Sequence, residues 1–241
     1  MNRGVFIVGT DTEVGKTIIT AGIVYVLKKN GINACSFKAV QSGGIVKNGK
    51  LVSGDTQLVK RVCNIEENEN LMNPYCLKAP VSPHLAARLE KVTINREKIL
   101  SAYKKLSQKY DYIIAEGAGG LIVPIIEDKY FMYDLIKDLD LPIIIVAHAG
   151  VGMINHTALT VKVAESIGLD VKGIIINKFT NKLHEKDNIE VIKNITGKKI
   201  IAVIDEIEKF EYDGGDFRRL KSEFKKKIKI DILLNSMKRE F

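Results

Sequence analysis

The sequence predicts an α/β fold: a mostly parallel central sheet with helices on both faces. Three observations predict it. Short apolar runs alternate with helix-period stretches along the chain, as βα units require. The runs at 143–147 and 174–176 are apolar at every position, so both faces of those strands should be buried, as in a parallel sheet. A tight loop ending Gly15-Lys16-Thr17 joins the first apolar run to the first helical stretch, as in a phosphate-binding turn. With 241 residues, 46% of them hydrophobic, the chain reads as one domain over 1–241.

The elements follow in order. Residues 5–8 form a strand, and 18–29 a helix stopped by Asn30-Gly31. Residues 34–37 make a short strand. Four glycines in 41–54 mark a loop or hairpin. Residues 55–63 are helical, with Asp55 near the N-terminus as an N-cap candidate. The stretch 73–83 holds Pro74, Pro80 and Pro83 and reads as ordered but irregular. Helices at 85–89 and 95–109 precede a strand at 112–115, which runs into Glu116-Gly117-Ala118-Gly119-Gly120. A helix at 133–139 and a strand at 143–147, bounded by Pro142, come next. A helix at 155–167, with Asn155 as its cap candidate, closes at Gly168. A strand at 173–176 reaches Asn177. A helix at 187–195, a strand at 200–204 and a helical stretch over the last 25 or so residues complete the chain.

Composition narrows the partners. The formal charge is +8, with basic residues gathered toward the C-terminus. Aromatic residues do not interleave with the lysines as a nucleic-acid platform requires, so the basic surface reads as solvated, with no nucleic-acid or membrane partner. Cys35, Cys63 and Cys76 form no CxxC pair, and the four histidines show no metal-ligand spacing. The first strand is too short for a signal peptide and no apolar run reaches membrane-spanning length. The expected compartment is the cytoplasm.

In a sheet of this type ligands bind at the carboxyl ends of the strands. That rule selects the residues from Gly9, Lys38, Glu116, His148 and Asn177 onward. In the first group, the loop Glu13-Val14-Gly15 and the first helical turn Lys16-Thr17-Ile18 can turn backbone N–H groups toward a phosphate. Lys16 adds a positive charge for the β/γ-phosphates, and the Thr17 hydroxyl can ligate Mg²⁺. The positive charge of a lysine opening a helix opposes the helix dipole unless an anion is present. The loop's first glycine, Gly9, lies one residue earlier than the usual spacing, and Thr10 stands in its place. Together these features predict a P-loop NTPase fold.

Glu116 at the tip of a buried strand can hold Mg²⁺, and Gly117, Ala118 and Gly119 permit close approach of a ligand. Asp55 could supply a second metal carboxylate. Lys38 leaves a strand toward the rim, where its cation could stabilise a transferring phosphoryl group. The run Gly150 to His156, with Gly152 and Asn155, opens a helix and forms a second potential anion site suited to a carboxylate.

These residues resemble the dethiobiotin synthetase family over roughly residues 4–178. The carriers are Gly-Thr-Asp-Thr-Glu-Val-Gly-Lys-Thr at 9–17, Phe-Lys-Ala-Val-Gln-Ser-Gly at 37–43, Ser-Gly-Asp at 53–55 and Asn-Pro-Tyr at 73–75. Further carriers are Ala-Pro-Val-Ser-Pro-His at 79–84, Glu-Gly-Ala-Gly-Gly at 116–120 and Gly-Met-Ile-Asn-His at 152–156. The resemblance implies ATP- and Mg²⁺-dependent closure of a cyclic urea from 7,8-diaminononanoate and CO₂, with ADP and phosphate released. An amine captures CO₂ as a carbamate, the carbamate attacks the γ-phosphorus, and the second amine closes the ring. It implies that Lys16 and Lys38 flank the γ-phosphoryl group and that Thr17, Asp55 and Glu116 hold Mg²⁺. Thr12 and Ser42 would hydrogen-bond the carbamate or diamine end, and Asn177 the adenine. It further implies a homodimer in which Gly152 to Asn155 receive the substrate carboxylate across the interface. No side chain need act as a nucleophile.

The chain departs from some family members in having Asn177-Lys178 where they have Asn-Asp. It also has Val203-Ile204-Asp205-Glu206 where they have a Gly-x-Ile-Pro-like turn. Two other readings compete. A switch ATPase of the partitioning and septum-positioning group would use the basic C-terminal stretch as a membrane-surface helix. That group, however, carries an extra lysine early in the loop, where this chain has Thr10 and Asp11. An amidotransferase-linked synthetase would need a glutaminase domain, for which the chain has no room.

Overall fold

The computed structural model describes residues 3–207, 210, 212 and 214–238. Six strands form the central sheet: β1 (Gly4–Gly9), β2 (Ala34–Phe37), β3 (Tyr112–Glu116), β4 (Ile143–His148), β5 (Val171–Phe179) and β6 (Ile200–Asp205). They lie in the order β6-β5-β4-β1-β3-β2 with every pairing parallel. β1 and β2 are buried at every residue, and β4 from Ile143 to Ala147. Unbroken apolar strands can be stable only when both faces are covered, and each fully buried Ile or Val contributes about 1.5–3 kcal/mol.

Ten helices are described: α1 (Lys16–Lys29), α2 (Gly54–Cys63), α3 (Glu69–Met72), α4 (Pro83–Leu89), α5 (Arg96–Ser107), α6 (Met132–Leu139), α7 (Met153–Ser166), α8 (Leu183–Thr196), α9 (Arg218–Lys227) and α10 (Ile230–Asn235). The connection from β1 through α1 to β2 runs one way along the sheet. The connections from β2 to β3, β4, β5 and β6 run the other way. Right-handed crossovers therefore put α1 on one face and α5, α6, α7 and α8 on the opposite face. The contacts agree: α1 packs on β1, β2, β3, α2 and α9, whereas α5 packs on β3 and α6, and α7 on β4, β5 and α8. The direction reverses at β1, so the crevice beyond its carboxyl end is the topological switch point.

The α1–α9 contact is unusually close. A Cβ built on Gly22 of α1 would stand 1.9 Å from the Phe224 ring. Leu220 and Phe224 of α9, with Ile228 and Leu233, are buried in the core. The apolar face of α9 is thus covered by α1 and β6. Among the described residues no helix is long and apolar enough to cross a membrane.

Several boundaries differ from expectation for local reasons. α2 begins at Gly54, and its cap is Ser53, whose Oγ accepts the Thr56 N–H at 3.1 Å; Asp55 is not the cap. α7 begins at Met153 after Gly152, whose φ of +85° suits glycine, so Asn155 lies in the first turn rather than at the cap. The C-terminal stretch is two helices, α9 and α10, broken at Ile228-Lys229. The region 41–54 contains an antiparallel pair, Ile45–Lys47 with Lys50–Val52. The irregular segment 73–83 contributes Tyr75–Cys76, which pairs in parallel with Val40–Gln41. α3 and the hairpin Pro124–Ile126 with Tyr130–Phe131 were not expected, because elements this short carry no periodicity.

Candidate active site

The phosphate loop is shaped by contacts that its sequence alone only partly reveals. Glu13 and Gly15 take positive φ, +60° and +90°, which turns the chain into the concave form that exposes N–H groups. Gly15 precedes α1, and a Cβ there would lie 2.1 Å from Asn177 Nδ2. The same Nδ2 donates to the Val14 carbonyl at 2.9 Å, tying the loop to the end of β5. Lys16 Nζ donates to the Asp11 carbonyl at 2.9 Å. A Cβ on Gly9 would meet that Nζ at 2.7 Å and the Asp11 carbonyl oxygen at 2.6 Å. The early glycine therefore makes room for the lysine that the loop folds around. Asp11 Oδ1 accepts the Thr12 N–H at 2.6 Å and its hydroxyl at 3.2 Å.

Beside this loop three elements bring charge together. β2 delivers Lys38, the start of α2 delivers Asp55, and β3 ends in Glu116. The Lys38 ammonium is hydrogen-bonded to Asp55 Oδ2 and lies 2.6 Å from Glu116 Oε1. The Thr17 hydroxyl donates to the same Oε1 at 2.8 Å. Lys38, Thr17 and Glu116 are buried, and Asp55 is partly so. Supporting bonds fix the backbone: Lys38 N–H donates to Met72 O at 2.7 Å, and Asn73 Nδ2 donates to Lys38 O at 2.7 Å. Ser53, besides capping α2, donates to Gln41 Oε1 at 3.1 Å, and Gln41 Nε2 bonds the Ser42 carbonyl at 2.7 Å.

Electrostatics separate the two lysines. Burial, and then the nearby Lys38 charge, push the Lys16 ammonium down to about 8. Burial also opposes the charge on Lys38, but Asp55 and Glu116 outweigh it and raise its pKa above the usual lysine range. Burial opposes ionisation of Asp55 too, and the Lys38 ammonium overrides it, holding the carboxyl below its usual range. Burial pushes the Cys35 and Cys63 thiols up to about 12, so neither is a thiolate nucleophile.

Most of the residues singled out in the sequence converge on one cavity of about 230 Å³. Its walls are Thr12, Glu13, Gly15, Lys16 and Thr17 from the loop; Lys38, Ser42 and Asp55; and Glu116, Gly117, Ala118 and Gly119. Ile18 and Asn177 line an adjoining cavity of about 420 Å³, which shares Glu13 and Gly15 with the first. Val14 is buried, its carbonyl engaged by Asn177. Gly152 and Asn155 line neither cavity; they lie at the start of α7, beside Val151, which is 90% exposed. Sequence reasoning did not assign roles to Gln41, Asn73 or Tyr212. Gln41 and Asn73 stood inside the motifs already quoted, which was a usable signal. Tyr212, which lines both cavities, carried none.

The donors suit magnesium. A hydroxyl and two carboxylates are hard oxygen ligands, and the Lys38 ammonium between the carboxylates marks a position that demands positive charge. The Thr17 oxygen keeps lone pairs free while its proton is donated to Glu116. Among the described residues no group of three or more His, Cys, Asp or Glu could hold a metal. The ion would therefore complete its shell with phosphate oxygens and water, as Mg²⁺ does.

Comparison with known proteins gives the arrangement a family. A family model described as AAA domain matches residues 3–212. The ATP-dependent dethiobiotin synthetase BioD of Clostridium novyi is 46% identical over 233 residues, covering 92% of this chain and 98% of that protein. That of Clostridium kluyveri is 47% identical over 211 residues, covering 86% and 88%. Among solved structures, the MinD cell division protein of Aquifex aeolicus superposes with a TM-score of 0.60 at 18% identity, covering 99% of this chain and 98% of that one. A plasmid partition protein of Borrelia burgdorferi does so at 0.59 and 16%, covering 98% of each. Likeness at such identities speaks for the fold alone: a parallel P-loop α/β sheet. The alternative of a partitioning-type switch thus shares the architecture, while the high identities lie elsewhere. Matched along nearly its whole length by curated relatives at 46–47% identity, the chain belongs to the ATP-dependent dethiobiotin synthetase family.

Proposed function

We propose that the protein converts 7,8-diaminononanoate, CO₂ and ATP to dethiobiotin, ADP and phosphate. One observation carries the reading: Lys16, Lys38, Asp55, Glu116 and Thr17 meet in a single cavity at the switch point of the sheet. Such a site brings two anions into contact. One is a triphosphate and the other a carbamate, formed when an amine adds to CO₂ and loses a proton.

The chain's residues then position rather than react. N–H groups of the loop and first turn of α1 receive phosphate oxygens, and Lys16 adds its charge beside them. Lys38 would stabilise the negative charge that grows as a carbamate oxygen bonds to the γ-phosphorus and the bond to ADP breaks. Bound magnesium, held by Thr17, Asp55 and Glu116, would supply charge neutralisation across the phosphate oxygens. Thr12 and Ser42 hydrogen-bond the carbamate or diamine end. The second amine then attacks the carbamate carbon, the urea ring closes, and phosphate leaves. The adjoining cavity, with Asn177 and Ile18 in its wall, takes the adenine. Asn177 would serve two masters there, since its Nδ2 is already bonded to Val14.

The protein is proposed to act as a homodimer. Gly152 and Asn155 lie outside both cavities of their own chain, and the partner's cavity is where they would receive the substrate carboxylate. Its place is the cytoplasm, where the three free thiols stay reduced. The test is direct: supply diaminononanoate, bicarbonate, Mg²⁺ and ATP and look for dethiobiotin by mass. Product formed with one phosphate per turnover supports the reading. ATP turnover indifferent to the diamine contradicts it.

A further inference from the structure

We propose that Lys38 is a resident cation of the metal site. In the nucleotide-free protein its ammonium occupies the place of the divalent ion, and it leaves for the phosphoryl group only when metal and nucleotide arrive together. The inference rests on the reading that this cavity takes magnesium and ATP.

Two carboxylates from separate elements, Asp55 and Glu116, face one cavity, and the Lys38 ammonium is their shared partner. Glu116 Oε1 accepts from both Thr17 and Lys38, at 2.8 and 2.6 Å. The side chains of Lys38 and Glu116 are 8% and 2% exposed, so water does little to screen either charge. Without the ammonium, the buried Glu116 would face the partly buried Asp55 with only Lys16, already bonded to the Asp11 carbonyl, as a counter-charge in the cavity, an arrangement that is destabilising. A divalent ion and an ammonium cannot both sit on the same two carboxylates in a cavity of about 230 Å³, because the cations repel.

The exchange is mechanically open. The Lys38 backbone is pinned on both sides, by Met72 O and Asn73 Nδ2, so a change of partner falls to its four-carbon stem, which carries several rotatable bonds. A swing away from the carboxylates is favourable only if another anion waits within reach, and the triphosphate is that anion. The metal site is therefore closed to free divalent ions and opens only to the metal–nucleotide pair.

The test uses Mn²⁺ as the probe, read by electron paramagnetic resonance on the intact protein. Without nucleotide, the wild-type protein should bind Mn²⁺ at least tenfold more weakly than with a non-hydrolysable ATP analogue. Lys38→Met should bind Mn²⁺ without nucleotide at least tenfold more tightly than wild type. Adding Asp55→Asn to that variant should abolish the gain. Lys38→Arg, which keeps the charge, should stay closed. Circular dichroism checks the fold of each variant. A folded Lys38→Met that binds no better than wild type overturns the proposal. Should that variant not fold, the wild type decides alone, and nucleotide-free Mn²⁺ binding within tenfold of the analogue complex overturns it. No diamine enters these measurements, so they can fail while dethiobiotin is still made, and the reverse.

Discussion

Lys16 and Lys38 line one cavity and are opposite in their electrostatic condition. Lys16 is buried with a backbone carbonyl as its hydrogen-bond partner, so its pKa falls to about 8. A triphosphate restores the charge. In nucleotide-free protein at pH 8.5 a large part of Lys16 is neutral, and ATP binding should draw in protons. Calorimetry in two buffers of different ionisation enthalpy should report uptake at pH 8.5 and much less at pH 6.5; identical heats at pH 8.5 would contradict this. For folding the proton balance runs the other way, because burying Lys16 releases a proton. Between about 8 and the usual 10.5 the unfolded chain holds more protons than the folded one, so the Lys16 contribution to stability rises with pH across that window. For Lys38, already ion-paired, Lys38→Ala should cut kcat by about 10²–10³, the loss seen when one transition-state donor is removed, with a much smaller change in the ATP Kd. Equal loss in both would make Lys38 a nucleotide-binding or purely structural residue.

At the scale of elements, placing the site falls to α1 and α2. α1 starts at the phosphate loop and is held from behind by α9 through the Gly22–Phe224 contact. Gly22→Ala improves helix propensity by about 1 kcal/mol but drives a methyl group into a packed ring. A net loss of about 1–2 kcal/mol in urea unfolding is expected, whereas a gain would mean that α9 packs less closely. α2 shows where local signals mislead. Asp55 was the expected cap, but Ser53, two residues earlier, is an equally good capping residue. The structure gives the cap to Ser53, which frees Asp55 to face Lys38. The phosphate loop, by contrast, was legible because it is contiguous, between a strand and a helix. The bond between Asn177 and Val14 spans 163 positions and follows only from the neighbouring of β1, β4 and β5. Tyr212 likewise reaches the cavities through packing that no local pattern announces.

For the whole molecule, the parallel sheet was legible because two-sided burial writes itself as unbroken runs such as 143–147. The strand order was not, although the rule that ligands bind at strand carboxyl ends needs no strand order to select the rim where the cavity of Lys16, Lys38 and Glu116 lies. A second copy is needed if α7 is to complete the substrate site. Light scattering should give about twice the chain mass, and Val151→Asp, at the exposed start of α7, should shift it toward the single chain and raise the KM for the diamine. A dimer unmoved by that substitution would place the interface elsewhere. The proposed reaction turns on contact between two anionic reactants, and an oxygen label tests that contact most directly. With ¹⁸O-labelled CO₂, the oxygen that attacks the γ-phosphorus should leave with the phosphate. ³¹P NMR should then find one ¹⁸O in each phosphate released during dethiobiotin formation. Unlabelled phosphate would mean that water, and not the carbamate, receives the phosphoryl group.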